Sequence, residues 1–242
     1  MFKKKVCIVI PARLSSSRFP NKPLVDIAGK SMIQRVYEKC SQSFADNVIV
    51  STEDQQIYDH VTKFGKCDLT PRFENGTLRV CHTALSMNGE FDYIINVQGD
   101  EPFIDLSFLN RFIRDLQNIK PGNVLTGAED NSILSENQRK NPNAVKFVAS
   151  KDGFIAGFTR SPFFKHTTGI HKHIGIYGFC SDDIEVISLI EPTDLSKRDS
   201  LEQISWMEKG FNIKYTVCYN KSISIDTPED LELATSFFLS DK

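Results

Sequence analysis

The sequence has no long apolar run. The first one, Val6 to Ile10, is broken by Pro11 and Arg13, whereas a signal peptide needs a longer stretch and a membrane span about 20 residues. Neither a leader nor a span is therefore expected. Neither G-x-x-x-x-G-K-[ST] nor G-x-G-x-x-G occurs, which removes the commonest kinase, NTPase and dinucleotide readings. Charge of one sign is not in excess: 29 basic residues face 31 acidic ones, a net charge of −2. Holding nucleic-acid backbone or an anionic membrane needs a concentrated basic face, so neither is an expected partner. A small anionic ligand needs only a few placed cations and stays open. No C-x-x-C pair occurs among Cys7, Cys40, Cys67, Cys81, Cys180 and Cys218. Several lie in apolar runs, so they read as buried reduced thiols of a cytoplasmic protein rather than zinc ligands or disulfides. Repeats and low-complexity segments are absent. Asn75-Gly76-Thr77 fits a glycosylation sequon, which without secretion carries no meaning.

The chain that remains is well supplied with core. Hydrophobic residues make up 40% of 242, and 18 are Phe, which argues against disorder and fits one domain spanning 1–242. Val6 to Ile10, Asn47 to Ser51 and Tyr93 to Val97 read as strands buried on both faces. Met32 to Ser41, Asp54 to Phe64, Thr77 to Met87 and 105–117 read as helices between and after them. The alternation predicts an α/β fold, a mostly parallel sheet with helices on both faces and right-handed crossovers. Pro11 to Lys30 reads as a polar loop. Farther on, Ala144 to Ser150 and Phe154 to Arg160 read as strands around a Lys151-Asp152-Gly153 turn, and His173 to Phe179 as another. Helix Ser200 to Lys209, strand Ile213 to Val217 and a closing helix, Pro228 to Phe238, complete the pattern. A β-rich subregion is expected near 140–190.

Ligands of such sheets sit beyond the carboxyl ends of the strands. The loop after the first strand, Pro11 to Leu24, holds Ser15, Ser16, Ser17, Arg13, Arg18 and Lys22. Hydroxyls plus fixed cations at a strand end suit a triphosphate, although a solvated loop has the same composition. Asp100 follows the strand 93–97, and Asp226 follows Ser222-Ile223-Ser224-Ile225. Two carboxylates with phosphate oxygens can hold Mg²⁺. Asp226-Thr227-Pro228-Glu229-Asp230 also fits a plain helix N-cap with acids near the positive helix end.

In order, the motifs are P-A-R-x-x-S-S-R-x-P-x-K-P-L from Pro11, N-V-Q-G-D-E-P from Asn96, H-I-G-I-Y from His173, S-L-E-Q from Ser200 and I-D-T-P-E-D-L-E from Ile225. Together they resemble the 3-deoxy-manno-octulosonate (Kdo) cytidylyltransferase family, from about Val6 to Leu233. The first two are shared more loosely with other sugar nucleotidyltransferases; H-I-G-I-Y and S-L-E-Q are more specific. The resemblance implies a Rossmann-like nucleotide-diphospho-sugar transferase fold and a transferase that joins CTP to a 3-deoxy-2-ulosonic acid. The products would be the CMP-sugar, for lipopolysaccharide or capsule, and pyrophosphate. By motif, Arg13 and Lys22 would hold the triphosphate, and Asp100 and Asp226 would bind Mg²⁺. Ala12, Leu14, Ser15, Asn75, Gly76 and Arg79 would contact the nucleotide. Gln98, Arg160, His173, Tyr177, Glu202 and Gln203 would form the sugar-acid pocket, with Arg160 suited to the carboxylate because its planar fork fits it bidentately. Taken singly, Tyr177 reads equally as a packing residue, His173 as a structural histidine and Arg160 as a surface cation. The resemblance also implies a homodimer through the β-rich region 140–190.

The chain departs from the family pattern in places. Asn21 stands where the family has Gly, and Asn tolerates the left-handed conformation. Leu78 replaces an acid in S-G-T-[DE]-R, Ser205 stands where L-E-Q-L-R has Arg, and the segment 161–172 is shortened, with Lys165-His166 in place of a second arginine. Two alternatives are thus a different acceptor, amino-Kdo or a sialic-acid-like sugar, and a catalytically weak nucleotide-binding paralogue.

Overall fold

The computed structural model describes residues 4–15, 19–130, 140–142, 144–161, 169–220, 225, 227–232 and 235. Its strands are β1 (Val6–Ala12), β2 (Asp26–Ile27), β3 (Lys30–Ser31), β4 (Asn47–Thr52), β5 (Cys67–Leu69), β6 (Tyr93–Val97), β7 (Asn123–Glu129), β8 (Lys146–Ala149), β9 (Ile155–Thr159), β10 (Ile170–Cys180) and β11 (Asn212–Cys218). Its helices are α1 (Met32–Ser41), α2 (Gln55–Val61), α3 (Gly76–Ser86), α4 (Leu106–Leu116), α5 (Ile184–Ser188), α6 (Asp194–Asp199) and α7 (Glu202–Glu208).

The main sheet runs β11-β7-β10-β6-β1-β4-β5. β1 is buried over its whole length because it lies between parallel β4 and β6. Strands β5 and β4 are also parallel, as are β11 and β7, while β10 runs antiparallel between β6 and β7. The sheet is thus mostly parallel, as the alternation implies, with one reversed strand that it does not. Helices cover both faces. Ile33 and Val36 of α1 and Phe108 and Phe112 of α4 pack on one. Val80 and Cys81 of α3, Ile184 of α5 and Trp206 of α7 pack on the other. Beyond β6 and β7, β10 continues into an arm where its first residues pair with β8, and β8 pairs with β9. Among the described residues no helix is long and apolar enough to cross a membrane.

Helix starts follow local chemistry. Ser31 caps α1 by accepting from the Gln34 N–H at 3.3 Å, and Asp105 caps α4 by accepting from the Phe108 N–H at 2.6 Å. The segment 11–30, expected to be loop, also holds a 3₁₀ turn at Lys22–Leu24 and the β2–β3 pair. Strand β7 is not foreshadowed, because Thr126 and Gly127 interrupt its apolar run. The fold needs that glycine: a Cβ at 127 would lie 2.9 Å from Ile174 Cβ and 2.9 Å from Ile176 Cγ2. The helix expected at Ser200 begins at Glu202, since Ser200 takes φ 53° to end α6, itself unforeseen. Residues 228–232 and 235 are helical; the rest of the expected closing helix, like Arg18, Lys165, His166 and Asp226, lies outside the described residues.

Candidate active site

Strand ends build the first half of the site. The loop after β6 passes against the end of β1, where a Cβ on Gly99 would lie 3.0 Å from the Pro11 carbonyl oxygen. Asn21 takes φ 58° and ψ 18°, the left-handed conformation its amide side chain tolerates. The turn it opens delivers Lys22 to the end of β6. There Lys22 Nζ donates to Asp100 Oδ2 at 2.7 Å and to the Ile225 carbonyl at 3.0 Å. Asp226, the second expected metal ligand, is the next residue and lies outside the described residues.

The other residues assigned to the nucleotide by resemblance surround this corner. Ala12 is buried at the end of β1, so only its backbone can meet a ligand. Arg13 is exposed and its Nη1 reaches to 3.5 Å from the Glu74 carbonyl; Ser15 is exposed. The Leu14 N–H is already engaged, donating to Asp54 Oδ2 at 2.7 Å. Asn75 caps α3 by accepting from the Leu78 N–H at 2.9 Å. Gly76 lies close under Pro11, where a Cβ would come within 3.2 Å of the proline Cγ. Arg79 is 1% exposed and pairs with Glu53. Its guanidinium thus faces the corner after β4, beneath the loop, in a buried ion pair. Glu53 and Asp54 carried no sequence signal, because their partners are distant in the chain.

The second half is a cleft of about 430 Å³. Gln98, Arg160, His173, Tyr177, Glu202 and Gln203 all line it, drawn from the ends of β6 and β9, from β10 and from α7. Arg160 Nε donates to the Asp199 carbonyl at 3.1 Å and its Nη2 to the Ser200 carbonyl at 3.4 Å, so the end of α6 fixes the fork. Ser196 and Lys197 of α6 join the lining. They escaped sequence analysis with their short helix.

Burial sets the protonation states here. The Thr126 hydroxyl donates to the Ile176 carbonyl at 2.8 Å and lies 2.8 Å from His173 Nε2. Its one proton being spent, it must accept from Nε2–H, which makes Nδ1 the acceptor. Burial, with the Arg160 guanidinium near, lowers His173 to about 3, so this imidazole is neutral at pH 7. Tyr177 packs edge-on against Trp206, ring centroids 4.9 Å apart. Burial, reinforced by Glu202, holds its phenol well above the ordinary value, as a neutral donor. Burial also pushes the Glu202 carboxyl up to about 7, against a lowering hydrogen bond from Thr77. Gln203 is 2% exposed. The cleft therefore offers a cation, neutral donors and acceptors, and one carboxyl that titrates near neutrality, a set suited to a polyhydroxy acid.

Residues 7–227 match the family model described as cytidylyltransferase. The 3-deoxy-manno-octulosonate cytidylyltransferase of Chlamydia caviae is 39% identical over 96% of this chain and 92% of its own length. That of Fusobacterium nucleatum is 37% identical over 95% of each chain. The chain belongs to the Kdo cytidylyltransferase family. It is therefore a nucleotidyltransferase of the cytidylyltransferase class. Among solved structures, a CMP:2-keto-3-deoxy-manno-octonic acid synthetase in complex with CTP superposes with TM-score 0.90 at 32% identity, covering 99% of this chain and all of that one. A 4-diphosphocytidyl-2C-methyl-D-erythritol synthase from Anaerococcus prevotii has TM-score 0.65 at 14% identity, a likeness of fold alone. Thr77 and Asn96 fall inside the sequence motifs but drew no role of their own; in the structure Thr77 donates to Glu202 Oε1 at 2.9 Å and Asn96 Nδ2 donates to Thr77 Oγ1 at 3.3 Å. The signal for Asn96 was present, a lone amide inside the apolar strand Tyr-Ile-Ile-Asn-Val.

Proposed function

We propose that this family member transfers the cytidylyl group of CTP to the anomeric 2-hydroxyl of 3-deoxy-manno-octulosonic acid. The hydroxyl oxygen attacks the α-phosphorus in line, the bond to the β-phosphate oxygen breaks, and pyrophosphate leaves. The observation that carries the reading is the convergence of Gln98, Arg160, His173, Tyr177, Glu202 and Gln203 on one cleft, beside the corner that bears Arg13, Lys22 and Asp100. Arg160 takes the sugar carboxylate in its fork. Neutral His173 and Tyr177, with Gln98 and Gln203, take hydroxyls, and Glu202 accepts from one when ionised. Arg13 and Lys22 bind the triphosphate and offset charge on the transferring group, so that positioning and electrostatics carry most of the rate.

A divalent cation belongs to this reading, and the donor chemistry fits. Asp100 offers a hard carboxylate oxygen beside the Ile225 carbonyl, both within reach of one Lys22 ammonium. Among the described residues no group of three or more His, Cys, Asp or Glu could hold a metal by itself. Mg²⁺ usually takes one or two carboxylates and completes its shell with phosphate and water, which one carboxylate beside a carbonyl leaves room for. Asp100 and Asp226 would hold it, and when bound it supplies charge neutralisation at the α-phosphate and lowers the pKa of the attacking hydroxyl.

A second reading keeps the reaction and changes the acceptor to amino-Kdo or a sialic-acid-like sugar. Leu78 and Ser205, which depart from the family pattern, both line one small hollow of about 30 Å³ that shares Asn75, Pro192 and Glu202 with the main cleft. These two departures thus adjoin the cleft read as the acceptor site. Pyrophosphate release should be compared across CTP, UTP, ATP and GTP and across a panel of ulosonic acids with Mg²⁺. Turnover only with CTP and fastest with Kdo supports the first reading; a faster amino-substituted or nine-carbon acid selects the second. The same reading includes a cytoplasmic homodimer joined through the arm 140–190, and a monomeric sedimentation profile would remove the dimer from it.

A further inference from the structure

Asn96 sits in the middle of β6 with no exposure, a polar side chain in an otherwise apolar strand. Burying an amide is costly unless its hydrogen bonds are supplied. Here they come from a chain of side chains. Thr77, 3% exposed on the first turn of α3, donates its hydroxyl to Glu202 Oε1 at 2.9 Å. Asn96 Nδ2 donates to Thr77 Oγ1 at 3.3 Å, and Gln98 Nε2 donates to Asn96 Oδ1 at 3.0 Å. The chain begins at one wall of the acceptor cleft, passes under its floor and ends at another.

The order of donors follows from proton counting. A threonine hydroxyl has one proton. When it goes to the Glu202 carboxylate, the oxygen can only accept, so Asn96 must turn its NH₂ toward Thr77. Its carbonyl then faces Gln98, which must turn its own NH₂ inward. Gln98 is left presenting Oε1 to the cleft. A free glutamine amide could present either end to a substrate hydroxyl at similar cost; this one cannot.

We propose that Thr77 and Asn96 are positioning residues that fix the amide of Gln98, so that the acceptor sugar meets a hydrogen-bond acceptor at that wall whenever Thr77 donates to Glu202. The proposal rests on the reading of the cleft as the sugar-acid site. Neither residue touches the substrate, and both act through Gln98 and Glu202.

The test compares Thr77→Val, which keeps the shape and removes the hydroxyl, with Thr77→Ser, which returns it. With the acceptor that wild type uses best, Thr77→Val should raise the acceptor KM about tenfold, the scale of one misdirected buried hydrogen bond. The KM for CTP should change less than about twofold, and Thr77→Ser should recover wild-type behaviour to within about twofold. An unchanged acceptor KM, equal increases in both KM values, or a serine variant as poor as valine would overturn the proposal. A second readout is independent of turnover: the ¹⁵N–¹H side-chain resonances of Gln98, assigned by their loss in Gln98→Glu. They should shift in Thr77→Val, where Gln98 and Asn96 are unaltered, and return in Thr77→Ser. Resonances identical in wild type and Thr77→Val would overturn it. A wild-type enzyme that accepts no ulosonic acid would instead defeat the functional reading, and the Gln98 resonances would still decide the relay.

Discussion

Lys22 Nζ lies 2.7 Å from Asp100 Oδ2. The cation assigned to phosphate and the carboxylate assigned to metal neutralise each other, both partly shielded from water. Lys22 must therefore leave Asp100 before a divalent ion can take that oxygen, and an arriving triphosphate gives it another anion to pair with. Metal and CTP should then bind with positive coupling. Lys22→Met removes the competitor, so the nucleotide-free variant should bind Mn²⁺ about tenfold more tightly than wild type, as read by electron paramagnetic resonance. Asp100→Asn should weaken it in either background. Equal Mn²⁺ affinity in wild type and Lys22→Met would show that the pair does not guard the metal position.

Arg160 is held by carbonyls at the end of α6. Arg160→Lys keeps the charge and loses the fork, so the acceptor KM should rise by one to two orders of magnitude while the CTP KM stays within about twofold. Steady-state kinetics with each substrate varied in turn separates this from a phosphate or purely structural role, which would move both constants.

Glu202 and His173 pull the pH dependence of stability in opposite directions. Glu202 titrates at about 7 in the fold and at about 4.3 when unfolded. Between these values the folded chain holds a proton that the unfolded chain has released, so this group lowers stability as pH rises. His173 falls to about 3 from an unfolded value of about 6.5. The unfolded chain then holds the extra proton, and stability rises with pH. Glu202→Gln removes the first effect only. Its Tm relative to wild type should climb from pH 4.5 to 7, and parallel Tm curves would contradict the raised carboxyl.

Leu78 lines the hollow with Ile187, Ile190, Pro192, Ser205 and Trp206, and its N–H is held by Asn75. Nucleobase choice is better served by backbone carbonyls in the loop 13–15 and just ahead of α3, since residues 76–79 belong to the helix, and an unpaired buried acceptor facing uracil is costly. CTP should thus be preferred over UTP by at least about tenfold, and Leu78→Asp should leave that ratio nearly unchanged. A variant that alters the ratio would put specificity at position 78.

The elements that carry the site were legible wherever a local rule decided them. The β-branched run of β1, the apolar spacing of α1, and the strand 93–97 have nearly the expected limits. Strand β7 was not legible, because Gly127 is there to clear Ile174 and Ile176, a fact of packing rather than of sequence. The short α6 offers too little periodicity, though it supplies the carbonyls that aim Arg160. Motif order brought the cleft residues to attention, but not their connections. Arg79 pairs with Glu53, Leu14 is anchored by Asp54, and Asn96 joins Gln98 to Glu202 through Thr77. Apart from Asn96–Gln98, two residues apart in sequence, each link spans distant chain segments, where no spacing rule applies.

The central claim is that a new bond joins the anomeric oxygen of a 3-deoxy-ulosonic acid to the α-phosphorus of CTP. It is tested most directly by incubating the enzyme with CTP, Mg²⁺ and Kdo labelled with ¹³C at carbon 2. The labelled resonance should split by coupling to phosphorus as pyrophosphate accumulates in equal amount. Pyrophosphate without that coupling, or no reaction with any ulosonic acid in the presence of CTP, would contradict the account.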